Sequence, residues 1–255
     1  MALLFPMRMR CSVIAPHTGQ RPVDTTLQKR PESIKQVLMC VQDQPQLRAA
    51  GYQVSIVDYG NFQSLVFALR GIDTVISTVT GPNQVELIRA AVTVGVRRFA
   101  AAEFEGPPQL RPANDPLDRQ RALARQLLLH YSQTIQSTTF VCGILYERFQ
   151  PGGLAHSHIG VTSGFSGEGD YILDCRNMHA QVPAYDLNNK PEVVVCLTAA
   201  QDVGRFVTKA IDMPQWPSEL RMCGLRVAVK DLVALVQRLK RTFFPIRFLY
   251  IQAVS

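Results

Sequence analysis

Residues 72–81, IDTVISTVTG, form a nearly continuous run of β-branched side chains, and PNQVELIRAAVTVG follows as a helix opening on Pro82 and closing on Gly95. A second apolar run, VRRFAAAEF, comes directly after it. A strand that is apolar on both faces has to be covered on both faces, which is the situation of a parallel sheet flanked by helices. Two such strands joined by one short helix form a right-handed crossover. This unit restricts the chain to the α/β class.

The same alternation continues on both sides. YQVSIVDYG reads as a strand ending in Asp58 and Gly60. NFQSLVFALRG reads as a helix with Asn61 as N-cap, Phe62, Leu65, Val66 and Leu69 on one face, and Gly71 at its end. DPLDRQRALARQLLLHYSQ predicts a further helix and STTFVCGILY a further strand. Strand and helix thus alternate from residue 52 to residue 146, the grammar of a doubly wound parallel sheet. Residues 23–50, polar with two prolines, predict a loop and one or two helices. Beyond Phe149 the texture loosens, so the domains expected are a nucleotide-type core over 1–150 and a smaller lobe over 151–255. In that lobe YILDCRNMHAQVPAYDLNNKP reads as a loose hairpin. EVVVCLTAAQDVGRFVTKAID reads as a strand feeding a helix, with TAAQ (Thr198–Gln201) as a capping box, and LRVAVKDLVALVQRLKR holds a last helix. The apolar tail RTFFPIRFLYIQAVS either packs as a strand or lies exposed.

Composition removes several functions. Hydrophobic residues make up 47% of 255 and charged residues 18%, enough for a sizeable core. No apolar run approaches the roughly 20 residues that span a bilayer, and MALLFPMRMRC does not match a secretory signal, so the expectation is a cytoplasmic protein without a membrane partner. The six cysteines are scattered without a C-x-x-C pair, which argues against a disulfide framework or zinc site. His156 and His158 alternate but lack companion ligands, so no metal is expected. The net charge of +7 is spread from Arg8 to Arg247 with no aromatic-interleaved basic motif, so it suits solubility or an anionic ligand and not nucleic acid.

GIDTVISTVTGPNQVELIRAAVTVGVRRFAAAEFEG, STTFVCGILYERFQPGGL and AAQDVGRFVTKAI together closely resemble the NmrA-like and isoflavone-reductase-like family, over roughly Gln46 to Lys240. The resemblance implies a Rossmann-like core that binds NADP(H), as in atypical short-chain dehydrogenase relatives. Such proteins begin with a strand and a G-x-x-G-x-x-G loop that receives the pyrophosphate, and this sequence contains no such loop. CSVIAPHTGQRP is therefore aligned with the family's second strand and the loop after it. The chain is expected to be shortened at its N-terminus, to lack the usual first strand and to bind its cofactor less well. Either the stretch around Cys11–Ala15 fills the missing central place, or two strand edges face each other across it.

The resemblance also implies site residues. His17, Thr18 and Arg21 are candidates for the cofactor 2′-phosphate, or belong to a plain surface loop. Asp58 resembles the adenine-side residue. Thr78, Val79 and Thr80 close the next strand at its ligand-binding end, or are ordinary strand and turn residues. Ala102, Glu103 and Phe104 match a PSEF segment near the nicotinamide, with Ala102 in place of serine, and Glu103 is alternatively a cap for the following loop.

No tyrosine has a lysine four residues on, and the lysine used by the reductases aligns at or near Arg121. Arginine holds its proton at working pH, so Arg121 is a candidate to hold an anion or substrate oxygen, not a general base. Arg119 and Arg125 read as the solvated face of that helix. Three functions remain: an NADP-dependent reductase of a small aromatic or carbonyl substrate; a non-catalytic NAD(P)-sensing regulator that binds partner proteins; or a truncated, inactive chain.

Overall fold

The computed structural model describes residues 4–5, 10–14, 35–40, 43, 45–49, 51–115, 117–157, 159–160, 164–169, 171–186, 192–241 and 246–251. The described residues up to Val141, with Gly204–Arg221, make one compact unit. Cys142–Val203 and those from Met222 onward make a second.

The first unit opens with β1 (Leu4–Phe5), β2 (Arg10–Ile14) and β3 (Lys35–Cys40), then α1 (Pro45–Ala49) and β4 (Gln53–Ile56). It continues through α2 (Phe62–Leu69), β5 (Thr74–Ile76), α3 (Pro82–Thr93), β6 (Arg98–Ala100), α4 (Arg121–His130) and β7 (Gln136–Val141). The second unit begins with β8 (Ile144–Leu145), α5 (Gly153–His156), β9 (Leu173–Asp174), β10 (His179–Asp186) and β11 (Val194–Thr198). The division falls within α6 (Ala200–Ile211), after which β12 (Glu219–Arg221) belongs to the first unit. β13 (Leu225–Ala228), α7 (Val229–Lys240) and β14 (Ile246–Ile251) belong to the second.

The main sheet runs β12-β7-β6-β5-β2-β3-β4, with every neighbouring pair parallel and β1 antiparallel to β5. The fold is the doubly wound α/β class that the alternation predicts. Val75 and Phe99 are wholly buried in the middle strands. Leu65 and Leu69 of α2, Leu87 and Ile88 of α3, and Ala124 and Leu128 of α4 are buried helix faces at the spacing an amphipathic helix requires. Asn61 caps α2 as expected, accepting the N–H groups of Gln63 and Ser64.

The placement of the first strands differs from the alignment. Cys11, Ser12 and Val13 pair with Thr74, Val75 and Ile76, and Arg10 and Ile14 pair with Lys35 and Met39. β2 therefore fills the central place, where the order reverses, which is the first of the two arrangements expected for Cys11–Ala15, and the alignment of this stretch with the family's second strand is corrected. The second place belongs to β3, inside the stretch read as loop and helix. A sheet interior without a strand would leave unpaired N–H and C=O groups on both neighbours, and β2 removes that cost. Ala15 and Gly19 lie outside the described residues.

Arg98, at the start of β6, is 2% exposed, and backbone carbonyls meet its charge. Its Nη1 donates to Ile211 O (3.2 Å), its Nη2 to Met213 O (2.8 Å) and Pro214 O (2.6 Å), and its Nε to Gln136 Oε1 (3.2 Å). The guanidinium also lies over the Trp216 ring at 5.2 Å. A cation at the carbonyl end of a helix is favoured by the helix dipole, and here it gathers the orphan carbonyls at the end of α6.

In the second unit β8, β11 and β13 form one small sheet and β9, β10 and β14 another. Leu173, Ala180, Val182, Leu197, Leu232 and Val233 share its core. The predicted hairpin is β9–β10. The apolar tail packs as a strand, β14, parallel to β10. STTFVCGILY is broken into two strands at Gly143 (φ 70°), where a Cβ would collide with the Cys196 carbonyl, so only glycine fits. The capping box is corrected: Thr198 Oγ1 donates to Cys142 O (2.7 Å), and the Glu147 carboxylate accepts the Ala200 N–H instead (2.9 Å). Among the described residues no helix is long and apolar enough to cross a membrane, and no cluster of ligating side chains is placed for a metal.

Arg98→Met leaves buried carbonyls without a donor, so the urea midpoint falls by the equivalent of about 2–4 kcal/mol, and Arg98→Lys recovers only part of it. The Asp174 carboxyl is held below its usual range, chiefly by the Asn177 N–H and side chain, with burial opposing and the Arg176 N–H assisting. A depressed folded pKa gives stability that is present above the unfolded value and is lost as pH falls through the folded one. Asp174→Asn accordingly loses less stability between pH 7 and pH 3 than the parent, measured by urea denaturation at both pH values.

Candidate functional site

Ligands of open parallel sheets bind beyond the carboxyl ends of strands where the order reverses, here between β2 and β5. Ser77, just past β5, is wholly buried: its N–H donates to Ala100 O (2.8 Å) and its hydroxyl to Val79 O (3.2 Å). This turns the chain and leaves Thr78 and Thr80 half-buried around a buried Val79. Gly81, at φ 74° and ψ −157°, adopts a backbone region open essentially to glycine, and its N–H donates to Arg119 O (2.9 Å). α3 then starts on Pro82 with no side-chain cap.

Past β6, Ala101, Ala102 and Glu103 are buried. The Ala102 N–H donates to Gln84 Oε1 on α3 (2.7 Å), while Gln84 Nε2, also buried, has no hydrogen-bond partner among the described residues. Phe104 stacks on Phe140 with centroids 5.7 Å apart, and Phe140 meets the edge of Trp216.

Glu103 is 0% exposed and lies between two guanidiniums, Arg111 Nη2 at 2.9 Å and Arg125 Nη1. Arg111 also faces Glu105 (3.5 Å), Asp115 (3.5 Å) and Asp118 (3.7 Å). Burial works against the Arg111 charge, but the Glu103 hydrogen bond and charge, then Glu105 and Asp118, raise its pKa above the ordinary value. Arg125 is thus no solvated surface residue, which corrects the helix-face reading. A carboxylate this deeply buried needs an ionic partner, and Arg125 supplies one.

Arg121 is 4% exposed, and each of its three nitrogens is engaged. Nε donates to Asp118 O (3.0 Å), Nη2 to Leu117 O (2.8 Å), and Nη1 pairs with Glu105 Oε1 (2.7 Å). It anchors the segment before α4, which begins later than the sequence pattern predicts because Arg119 and Gln120 take left-handed backbone. Asp58, past β4, is exposed. Its Oδ1 accepts the Gly60 N–H (2.8 Å), and its own N–H donates to Ser64 Oγ (3.1 Å). His17 and Thr18 lie outside the described residues.

The structure thus brings Thr78, Val79 and Thr80 to the end of β5 and Ala102, Glu103 and Phe104 to the end of the adjacent β6. Sequence reasoning missed Gln84, Arg111 and Arg125 as their supports. One signal was present: a carboxylate inside VRRFAAAEF needs a cation when buried, and the segment after it carries Arg111, Arg119, Arg121 and Arg125. At this edge the carboxylates and guanidiniums neutralise one another, and beside them stand the side chains of Thr78, Thr80, Gln84 and Phe104. Arg121→Met removes the side-chain donor from the Leu117 and Asp118 carbonyls and leaves Glu105 with Arg111 alone. It lowers stability by about 2–4 kcal/mol in urea denaturation, and residues 105–120 lose amide-exchange protection first.

No family model and no curated protein sequence matches the chain. Solved structures do. Leucoanthocyanidin reductase from Vitis vinifera, in a binary complex with NADPH, matches with a TM-score of 0.60 and 18% identity, over 85% of this chain and 69% of that one. A structure of pinoresinol-lariciresinol and phenylcoumaran benzylic ether reductases matches at 0.55 and 19%, over 83% and 65%. An NADPH-dependent quinone oxidoreductase from Escherichia coli, complexed with NADPH, matches at 0.54 and 15%, over 84% and 69%. At these identities the likeness is one of fold: this chain shares the doubly wound α/β fold of these reductases.

Proposed function

We propose that this chain is an NmrA-like, NAD(P)-binding protein that takes NADP(H) along the carboxyl edge of its parallel sheet, as an oxidoreductase of the isoflavone-reductase type. The observation that carries the reading is the reversal of strand order between β2 and β5, with Thr78–Thr80 and Ala102–Phe104 ending the strands beside it. The edge suits such a ligand: two threonine side chains, the buried unpartnered Gln84 Nε2 and the stacked Phe104 face match an acceptor-rich, aromatic molecule. In this reading Thr78, Val79 and Thr80 hold one side of the cofactor, Ala102 and Phe104 line the nicotinamide side, and Asp58 lies toward the adenine. His17 and Thr18, outside the described residues, are assigned to the phosphates in this reading. The single glycine in APHTGQRP makes that end the weaker one.

Bound there, the cofactor would supply hydride to a small aromatic or carbonyl substrate. Glu103 shapes the floor through Arg111 and Arg125, and Arg121 positions the loop of Glu105 and Leu117. A second reading, a redox-sensing regulator that binds the cofactor and a partner protein without chemistry, is favoured by one observation. Glu103 is committed to Arg111 and Arg125, and Arg121 to Glu105 and two backbone carbonyls, so none is poised to move a proton.

Titration of the purified chain with NADPH, by fluorescence or calorimetry, gives saturable binding in the micromolar range. Absence of binding at millimolar NADPH removes both readings. Thr78→Val keeps the side-chain shape, removes the hydroxyl, and weakens NADPH binding by about threefold to tenfold. An unchanged affinity takes Thr78 out of the site. NADPH consumption with a quinone or aromatic ketone separates reductase from sensor.

A further inference from the structure

Arg119 (φ 48°) and Gln120 (φ 59°), just ahead of α4, are consecutive non-glycine residues in the left-handed backbone region. There the Cβ crowds the following carbonyl, so such residues persist only where their surroundings impose the conformation. Local preference runs the other way. Arginine and glutamine are good helix formers, and Asp118 before them is a favoured N-cap, so the sequence suits a helix that begins at Asp118.

The hydrogen bonds around the pair show what imposes the bend and how little has to change to undo it. The Arg119 carbonyl accepts the Gly81 N–H (2.9 Å). From inside α4 the Arg121 side chain grips the Leu117 and Asp118 carbonyls and Glu105. The Asp118 carbonyl accepts the Arg121 N–H (2.9 Å), and its carboxylate accepts the Ala122 N–H (3.1 Å). A helix begun at Asp118 exchanges these two donors: the carbonyl takes the Ala122 N–H and the carboxylate takes the Arg121 N–H. The bond from the Ala124 N–H to the Gln120 carbonyl (3.0 Å) already has helical spacing and serves both arrangements. The Arg119 carbonyl is the acceptor that changes element, leaving Gly81 for the Leu123 N–H.

What it leaves lies at the candidate edge. Gly81 is the N-cap of α3, and no side chain caps that terminus. In the same first turn Gln84 Nε2 is buried and has no partner among the described residues. An acceptor from outside the chain is thus already wanted at this end of α3, and the Arg119 carbonyl supplies one to Gly81 in the bent arrangement.

We propose that Arg119–Gln120 is a two-state joint, bent in this structure and helical in its other state, and that a ligand acceptor at the start of α3 selects the helical state by taking the Gly81 N–H. The Arg119 carbonyl then stands in for the ligand when the edge is empty, and binding lengthens α4 by the two residues of the joint. The joint itself rests on the backbone geometry; that its ligand is NADP(H) rests on the cofactor reading.

Amide hydrogen exchange of the isotope-labelled full chain, followed by NMR, reads the joint without any ligand. Arg119→Pro fits only the helical state, because proline fixes φ at about −65° and suits the first helical position. Gln120→Gly fits the bent state, because glycine takes positive φ without strain. In Arg119→Pro the Gly81 N–H exchanges about tenfold faster than in the parent and the Leu123 N–H about tenfold slower. In Gln120→Gly the Gly81 N–H exchanges more slowly and the urea midpoint rises. Loss of the fold in Arg119→Pro, a lower urea midpoint in Gln120→Gly, or parallel shifts of Gly81 and Leu123 in either variant overturns the joint. NADPH binds Arg119→Pro about threefold to tenfold more tightly than the parent, and Gln120→Gly more weakly. Equal affinities in the three chains overturn the coupling to the ligand. Absence of NADPH binding in all three removes the cofactor reading, while the exchange rates still decide the joint.

Discussion

Two buried charges sit at opposite ends of the three-residue strand β6, and neither can be left to solvent. At one end Arg98 is compensated by backbone carbonyls. At the other, Glu103 is compensated by Arg111 and Arg125. Isolated buried ions cost several kcal/mol each, on the order of the whole stability of a domain, so the chain around them must be arranged to meet them. The end of α6, the start of α4 and the irregular segment between Glu105 and Gln120 are positioned by these needs as much as by apolar packing. The candidate edge inherits its shape from that arrangement, because Ala102 and Phe104 flank the same carboxylate.

Networks of this kind have an ambiguous look in functional terms. Clustered arginines and glutamates at the ends of parallel strands resemble acid–base machinery, and the resemblance read in the sequence aligns a reductase lysine at or near Arg121. Its bonds argue otherwise. A guanidinium whose three nitrogens all meet protein acceptors is an anchor, and its planar fork suits several fixed acceptors better than an ammonium would. In the reading proposed above, a ligand meets Thr78, Thr80, Gln84 and Phe104 instead.

Much of the architecture was legible in the sequence because it rests on local pattern. The β-branched run of β5, the Asn61 cap and the Pro82 start of α3 are each decided by neighbouring residues. β3 was not legible. KQVLMC is short, follows a proline-containing polar stretch, and becomes a strand only because β2 and β4 pair with it on either side. The Thr198 capping box failed for a similar reason: the pattern was present, but Glu147, distant in sequence, took the helix terminus first. At the candidate site the positions could be read from the resemblance to a family. The supports could not, because Gln84, Arg111 and Arg125 reach their partners through tertiary folding.

The return of β12 to the main sheet has a consequence for how the molecule is made. The carbonyls that satisfy Arg98 lie 113 to 116 residues further along the chain, beyond most of the second unit. During synthesis at roughly 5–20 residues per second, β6 therefore spends several seconds with a guanidinium whose receiving carbonyls have yet to be made. The nascent chain must keep that half of the sheet open while the intervening segment is translated. Exposed strand edge in that interval is where aggregation competes with folding.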